Sequence, residues 1–274
     1  MLKLYHGRTS VCSVKARLVF AEKGVDFDSQ LMTLQGDQYD PAYMKLNPNA
    51  VVPTLVHDDR VIIESTVIMH YVNDLFSDPP LMPREPFACS KVHMTAKLMD
   101  EDVHNCCTVL TFATVNRQNL LKKSTEELEA ELAKSPSKAR AEVKRQVYHH
   151  GLDAPVVVDA LRHHQRLLNR IDAAMKEGPY IAGADYSLAD IAATPYIWRL
   201  TKLRLSRLWD DRPGVARWYE RIQQRPSFAT AVEGWLTKAE HARYDNFEPD
   251  PWPKVRLLLQ AASTRHSRSL SPDW

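Results

Sequence analysis

Two clusters in this sequence carry side chains able to hold or transfer charge. The first is Glu64-Ser65, which follows two short apolar runs and opens a helical pattern. A serine there can cap the helix by accepting from its first backbone N–H groups. The same N–H groups, the positive end of the helix and the Ser65 hydroxyl can equally hold a carboxylate while Glu64 takes a neighbouring ammonium. A free α-amino acid end fits that pair. Upstream, Val52-Pro53 starts a strand, and a proline cannot donate to a sheet ladder. At a first strand position a cis bond is tolerated, and the Val52 main chain is left facing outward, open to pairing with the backbone of a ligand. The second cluster is His6-Gly7-Arg8-Thr9-Ser10-Val11-Cys12-Ser13, a turn that carries three hydroxyls and a thiol. Ser10, Cys12 and Ser13 fall at the expected start of a helix, where a hydroxyl caps the backbone or donates to a bound anion. One role does not exclude the other.

The elements that must position these groups follow from periodicity. Leu2 to Tyr5 reads as a strand, and Val11, Val14, Leu18 and Ala21 mark one face of a helix ending near Gly24. Val25 to Leu31 supplies a second strand, and Pro41 to Leu46 a short helix. Thr54 to Val56 and Val61 to Ile63 flank the turn His57 to Arg60, after which Val67, Ile68, Tyr71, Val72 and Leu75 recur at helical spacing. Phe76 to Pro86 holds four prolines and little periodicity, which marks a linker.

Everything beyond the linker reads as helix. Ala88 to about Asn116 carries Val92, Leu98, Met99, Val103 and Leu110 along one face. Ser124 and Glu127 form a capping box for the next helix, and Lys138 to His150 makes a charged helix ending at Gly151, which reads as a solvated insertion. Ala154 to Met175 is a third long helix. Ser187 and Asp190 form another capping box, and Pro213 to Gln224 and Ser227 to Arg243 complete a bundle. The expected division is therefore 1–78, 87–245, and a mobile tail over 246–274 in which Val255 to Leu259 is the one candidate helical stretch.

The segment Asn47-Pro48-Asn49-Ala50-Val51-Val52-Pro53-Thr54-Leu55, followed by Glu64-Ser65, resembles the glutathione-binding half of the glutathione transferase superfamily. The superfamily pattern is Asn-Pro-x-Gly-x-Val-Pro-x-Leu and then Glu or Gln before Ser; Ala50 stands where glycine is usual. The resemblance spans residues 2 to about 243. It implies a thioredoxin-like α/β domain followed by an all-α helical domain. It implies that Val52, beside cis Pro53, pairs with the cysteinyl backbone of glutathione, that Glu64 and Ser65 hold the γ-glutamyl end, and that Gln38 reaches the glycyl end. The motif around Ser187 and Asp190 resembles the folding motif buried in the helical domain of these proteins.

A thiol at its ordinary pKa is only a few per cent thiolate at pH 7, so a transferase must lower that pKa by about two, worth about 2.7 kcal/mol. Ser10 matches the catalytic serine of the zeta class, where Ser-Ser-Cys-Ser stands against Ser10-Val11-Cys12-Ser13. Ser13 matches the serine of the bacterial β-aryl etherases, which are similar without a gap from Leu4 to Gly24 and share Lys97-Leu98-Met99-Asp100-Glu101. Ser10 is preferred over Ser13 as thiolate donor. Cys12 is the alternative, as a mixed-disulfide nucleophile. The expected activity is glutathione transfer to a hydrophobic or aromatic electrophile, with β-aryl ether cleavage the leading substrate, in a pocket around Met99, Val103 and Cys106. The alternatives are a glutathione-dependent cis-trans isomerase and a noncatalytic binding protein.

Composition sets the outer bounds. At 274 residues the chain holds two domains of ordinary size, and a net charge of +2 argues against nucleic acid as a partner. No run of about 18 apolar residues occurs and Met1-Leu2 enters a strand directly, so neither a membrane span nor a signal peptide is expected. A cytoplasmic homodimer is the expectation. Cysteines at 12, 89, 106 and 107 have neither disulfide-framework nor zinc spacing. The adjacent pairs His149-His150 and His163-His164 point in different directions on their helices, and no metal is expected.

Overall fold

The structure, a computed structural model, describes residues 1–269, with side-chain environments as far as residue 262. The first unit runs β1 (Leu2–Gly7), α1 (Val11–Lys23), β2 (Asp28–Met32), α2 (Pro41–Leu46), β3 (Thr54–His57), β4 (Arg60–Ile63) and α3 (Ser65–Leu75). The sheet order is β2-β1-β3-β4. β1 and β2 are parallel, with Leu4 opposite Ser29, whereas β3 is antiparallel to both β1 and β4. A parallel pair needs a crossover, and α1 supplies it, burying Val14, Leu18, Val19 and Phe20. This is the thioredoxin-like unit that the resemblance implied.

Two backbone features sit beside β3. Val52-Pro53 is cis, as expected for a proline at that strand entry. Ala50 adopts φ +50°, so the left-handed turn is kept although glycine is missing. An L-residue there carries about 1–2 kcal/mol of strain, and glycine would add roughly 0.4–1 kcal/mol of unfolded-chain entropy. Ala50→Gly should therefore stabilise the fold by roughly 0.5–1 kcal/mol. A urea-unfolding midpoint that fails to rise contradicts that balance.

The second unit is helical throughout: α4 (Pro86–Leu98), a π turn (Met99–Val103), α5 (His104–Ala113), α6 (Arg117–Leu120), α7 (Thr125–Leu132), α8 (Lys138–His150) and α9 (Val156–Ala174). Then come α10 (Leu188–Lys202), α11 (Pro213–Gln223), α12 (Pro226–Ala231), α13 (Lys238–Asp245) and α14 (Trp252–Ser269). Both capping boxes are formed, Ser124 with Glu127 and Ser187 with Asp190. No helix among the described residues is long and apolar enough to cross a membrane, and no cluster of metal-ligating side chains occurs among them.

Four expectations need correction. Ser65 is the first helical residue of α3 and does not cap it; Glu64 holds the cap position at φ +69° without a side-chain cap. The single helix expected over Ser227 to Arg243 is split at Glu233–Trp235, because Thr237 and Glu240 form a capping box that starts α13 afresh. The tail expected to be mobile from 246 folds into α14 and buries Val255 completely; residues 270–274 of that stretch lie outside the described residues. The long helix expected over Ala88 to Asn116 contains the π turn, which inserts one residue and rotates everything beyond it.

The two units are joined by buried polar contacts of α1. Lys15, wholly buried, donates to Thr66 Oγ1 (2.9 Å) and to Asp100 Oδ1 (3.1 Å) in the π turn. Arg17 donates to the carbonyls of Gly7, Arg8 and Ala231 at 2.9–3.0 Å. Glu22 accepts a bidentate pair from Arg225 at 2.7 and 2.6 Å. These contacts fix α1, and hence its N-terminus, against the helical unit.

Candidate active site

A cavity of about 1000 Å³ lies between the N-terminus of α1 and the helical unit. That is the upper end of the range for ligand pockets, about 300–1000 Å³. The sheet-bearing unit contributes Ser10, Cys12, Gln38, Ala50 and Val52 to its wall; α5 contributes His104, Cys107, Thr108, Thr111 and Phe112.

Ser10 is the N-cap of α1, in extended conformation at φ −69° and ψ 123°, and its Oγ accepts from Ser13 N–H at 3.2 Å. Capping leaves the Ser10 hydroxyl proton free to donate. Ser13 is completely buried, and its Oγ accepts from Gly7 N–H at 3.0 Å, away from the cavity. The Val52 main chain bonds to no other backbone group among the described residues, because β3 begins pairing at Thr54. Gln38 lines the cavity with its Oε1 accepting from Gly36 N–H at 3.0 Å. Pro53 and Glu64 do not line it; Glu64 is exposed, with Asn49 Nδ2 donating to it at 3.4 Å. Ser65 is buried behind Cys12, and its hydroxyl is among the groups that favour the Cys12 thiolate. The termini of α1 and α3 thus converge on one thiol.

Cys12 has a partner distant along the chain. Its sulfur lies 3.5 Å from Nδ1 and 3.9 Å from Nε2 of His104, a residue 92 positions away. Burial pushes the Cys12 thiol up, but the His104 charge, the hydrogen bond from its ring, Lys15 and Ser65 outweigh it and bring the pKa down to about 7. Reciprocally, the Cys12 thiolate raises His104 against the effect of burial. Tyr196 OH lies 3.4 Å from His104 Nδ1 and steadies the ring. Cys107, buried on the same helix as His104, is pushed up to about 11 by burial, and half-buried Cys106 to about 12. Neither of these thiols has the imidazole that opposes burial at Cys12.

The pocket expected around Met99, Val103 and Cys106 is displaced. Met99 and Val103 are fully buried in the core, and Cys106 is absent from the cavity wall. The π turn rotates the following residues by about one position, about 100°, so the face presented is His104, Cys107, Thr108 and Thr111. Nor is the charged helix α8 merely solvated: Arg140 and Lys144, one turn apart, form the far wall. No local signal in the sequence pairs His104 with Cys12 or turns α8 inward.

Comparison with known proteins bears on the same regions. The family description "Glutathione S-transferase, N-terminal domain" matches residues 9–75, and "Glutathione S-transferase, C-terminal domain" matches residues 104–226. Tetrachloro-P-hydroquinone reductive dehalogenase of Sphingobium chlorophenolicum is 30% identical over 238 residues, spanning 84% of this chain and 95% of that protein. The crystal structure of the β-etherase LigF from Sphingobium sp. superposes with a TM-score of 0.76 at 26% identity, over 85% of this chain and 99% of that one. A theta class glutathione S-transferase from Xanthomonas axonopodis pv. citri, with glutathione bound, shares the fold with a TM-score of 0.58 at 24% identity, over 84% and 96%.

Proposed function

Because this chain belongs to the glutathione S-transferase family, we propose that it catalyses attack of the glutathione thiolate on an aromatic electrophile, with the Ser10 hydroxyl as the thiolate donor. Glutathione supplies the nucleophilic sulfur; the chain supplies its ionisation and its position. In this reading Val52 pairs with the cysteinyl backbone, Gln38 serves the glycyl end, and the N-terminus of α3 at Ser65, with Glu64, serves the γ-glutamyl end. Pro53 holds the Val52 main chain at the edge of the sheet. The observation that carries the reading is the meeting of the Ser10 cap and the free Val52 main chain on one large cavity. A charge-assisted hydrogen bond from Ser10 and the positive end of α1 both act at that point.

Similarity to a β-etherase over most of both chains favours β-aryl ethers as the substrate class. Sulfur attacks the carbon bearing the ether oxygen, the carbon–oxygen bond breaks, and a phenolate leaves with the bonding pair, giving a thioether. The proposal extends to a cytoplasmic homodimer; light scattering of the purified protein reads its oligomeric state.

The test measures glutathione consumption with 1-chloro-2,4-dinitrobenzene and with a β-aryl ether ketone. Ser10→Ala should lower kcat/KM by about 10- to 100-fold, the worth of one hydrogen bond to a charged group. Ser13→Ala should instead cost about 1–3 kcal/mol of stability by orphaning Gly7 N–H, with turnover near wild type. Equal activity of the Ser10→Ala variant and wild type rejects Ser10.

A second reading rests on Cys12, whose pKa of about 7 leaves it substantially ionised at neutral pH. Its thiolate attacks the sulfur of a glutathionyl adduct of an acidic carbon; the sulfur–carbon bond breaks, the carbon takes the pair and a proton, and Cys12 is left disulfide-bonded to glutathione. A second glutathione thiolate releases Cys12 and yields glutathione disulfide. Product analysis separates the two readings, since only this one yields glutathione disulfide.

A further inference from the structure

The wall of the cavity that faces α1 is strongly basic. Lys123, Lys134, Arg140, Lys144, Arg199 and Arg243 reach it from α8, α10, α13 and the ends of α7, against two carboxylates, Glu127 and Glu131. Glu127 is occupied by its capping box, accepting from Ser124 N–H at 2.8 Å. Glu131 is shared between Lys123 and Lys144, the latter at 3.7 Å. Among the described residues Arg140, Arg199 and Arg243 pair with no carboxylate, and the buried Nε atoms of Arg199 and Arg243 have no acceptor. Arg199 is only 5% exposed; it donates to neutral oxygens of Thr9 and Thr111 and its guanidinium stands over the rings of Trp198 and Tyr244, at 5.4 and 5.6 Å from their centres, so no anion among the described residues faces it.

A buried cation without a counter-charge is costly. Arg199 is the buried one here; with the partly exposed Arg140, Lys144 and Arg243 converging on the same cavity, it creates a positive potential that an entering anion relieves. Burial and the neighbouring Arg140 and Lys123 lower the Lys144 pKa, against the pull of Glu131, as expected of a cation short of counter-charge. Lys144 Nζ also stands 4.9 Å from the centre of the Phe112 ring, which gives an aromatic ligand a surface directly beside the charge.

Resting on the transferase reading above, we propose that the electrophile this cavity accepts is an anionic aromatic, whose carboxylate or sulfonate is held by Arg140, Lys144 and Arg243 while its ring lies against Phe112. Aromatic acids are accordingly favoured over neutral aromatics of the same shape.

The test is equilibrium binding of two fluorescent probes of matched shape, 8-anilinonaphthalene-1-sulfonate and neutral N-phenyl-1-naphthylamine, with the glutathione site filled by S-methylglutathione. Wild type should bind the sulfonate at least tenfold more tightly. In the variant carrying Arg140→Gln, Lys144→Gln and Arg243→Gln that preference should disappear, with the neutral probe and S-methylglutathione bound as before and the circular dichroism spectrum unchanged. The two single variants Arg140→Gln and Lys144→Gln, each at a partly exposed position, should show intermediate losses and guard against misfolding of the triple. Equal affinity of wild type for the two probes, or a preference that survives the substitutions, overturns the proposal. Loss of S-methylglutathione affinity in the variants also overturns it, because the cations would then serve the tripeptide. Failure of wild type to bind S-methylglutathione counts against the transferase reading alone, since the probe comparison can be made without it.

Discussion

Asp190→Ala should destabilise the protein by about 4 kcal/mol, enough to change the folding equilibrium by about a thousandfold. The carboxylate is completely buried and accepts from four donors: Ser187 N–H at 3.0 Å, Ser187 Oγ at 3.1 Å, Ile181 N–H at 3.0 Å and Trp218 Nε1 at 2.8 Å. Removing it leaves them without an acceptor where no solvent reaches, and each unsatisfied buried donor costs about 1–3 kcal/mol before relaxation. The effect is also structural in reach. These bonds join the turn before α10, the start of α10 and the core face of α11, so one side chain closes three elements at once. Asp190→Asn retains one acceptor oxygen and should lose about half as much. Urea unfolding followed by tryptophan fluorescence measures both; a loss below about 1 kcal/mol for Asp190→Ala would show that this carboxylate is not the closure it is taken to be.

Ser187 and Asp190 could be read in the sequence because a capping box is a local device, complete within four residues. The same holds for the bounds of α8 and for the proline at the entry to β3. What the sequence withheld was set by contacts distant along the chain. The π turn at Met99–Val103 has no composition of its own, yet Lys15 and Thr66 hold its Asp100 from the other domain, and its extra residue brings His104 rather than Cys106 to the cavity. The charges of α8 look solvated when only the helix is considered; Arg140 and Lys144 turn inward because α7 and α13 surround the same cavity. Ser10 and Ser13 are indistinguishable as hydroxyls near a helix start. Three dimensions separate them, one capping at the cavity wall and the other tied to Gly7 N–H in the interior.

His104→Gln should raise the pKa of Cys12 from about 7 toward the range of its buried neighbours, about 11 for Cys107 and about 12 for Cys106. Burial acts on all three thiols in the same upward direction, and His104 is the largest of the influences that oppose it at Cys12. The sign follows from the charges. Below about 7 Cys12 is a protonated thiol and reacts slowly; as pH rises through that value the thiolate forms beside a His104 that the same pairing keeps protonated above its ordinary range. Without the imidazolium only Lys15 and Ser65 oppose burial, and the thiolate population at pH 7 should fall on the order of a hundredfold. The pH dependence of iodoacetamide alkylation, read site by site by mass spectrometry, tests this within one molecule, because Cys106 and Cys107 serve as slow internal references. A midpoint at Cys12 that does not move in His104→Gln would remove the physical basis for Cys12 as a nucleophile. A midpoint that moves while glutathione consumption with the β-aryl ether ketone stays constant would confine the pair to a step after thioether formation and leave the first attack to the glutathione thiolate held by Ser10.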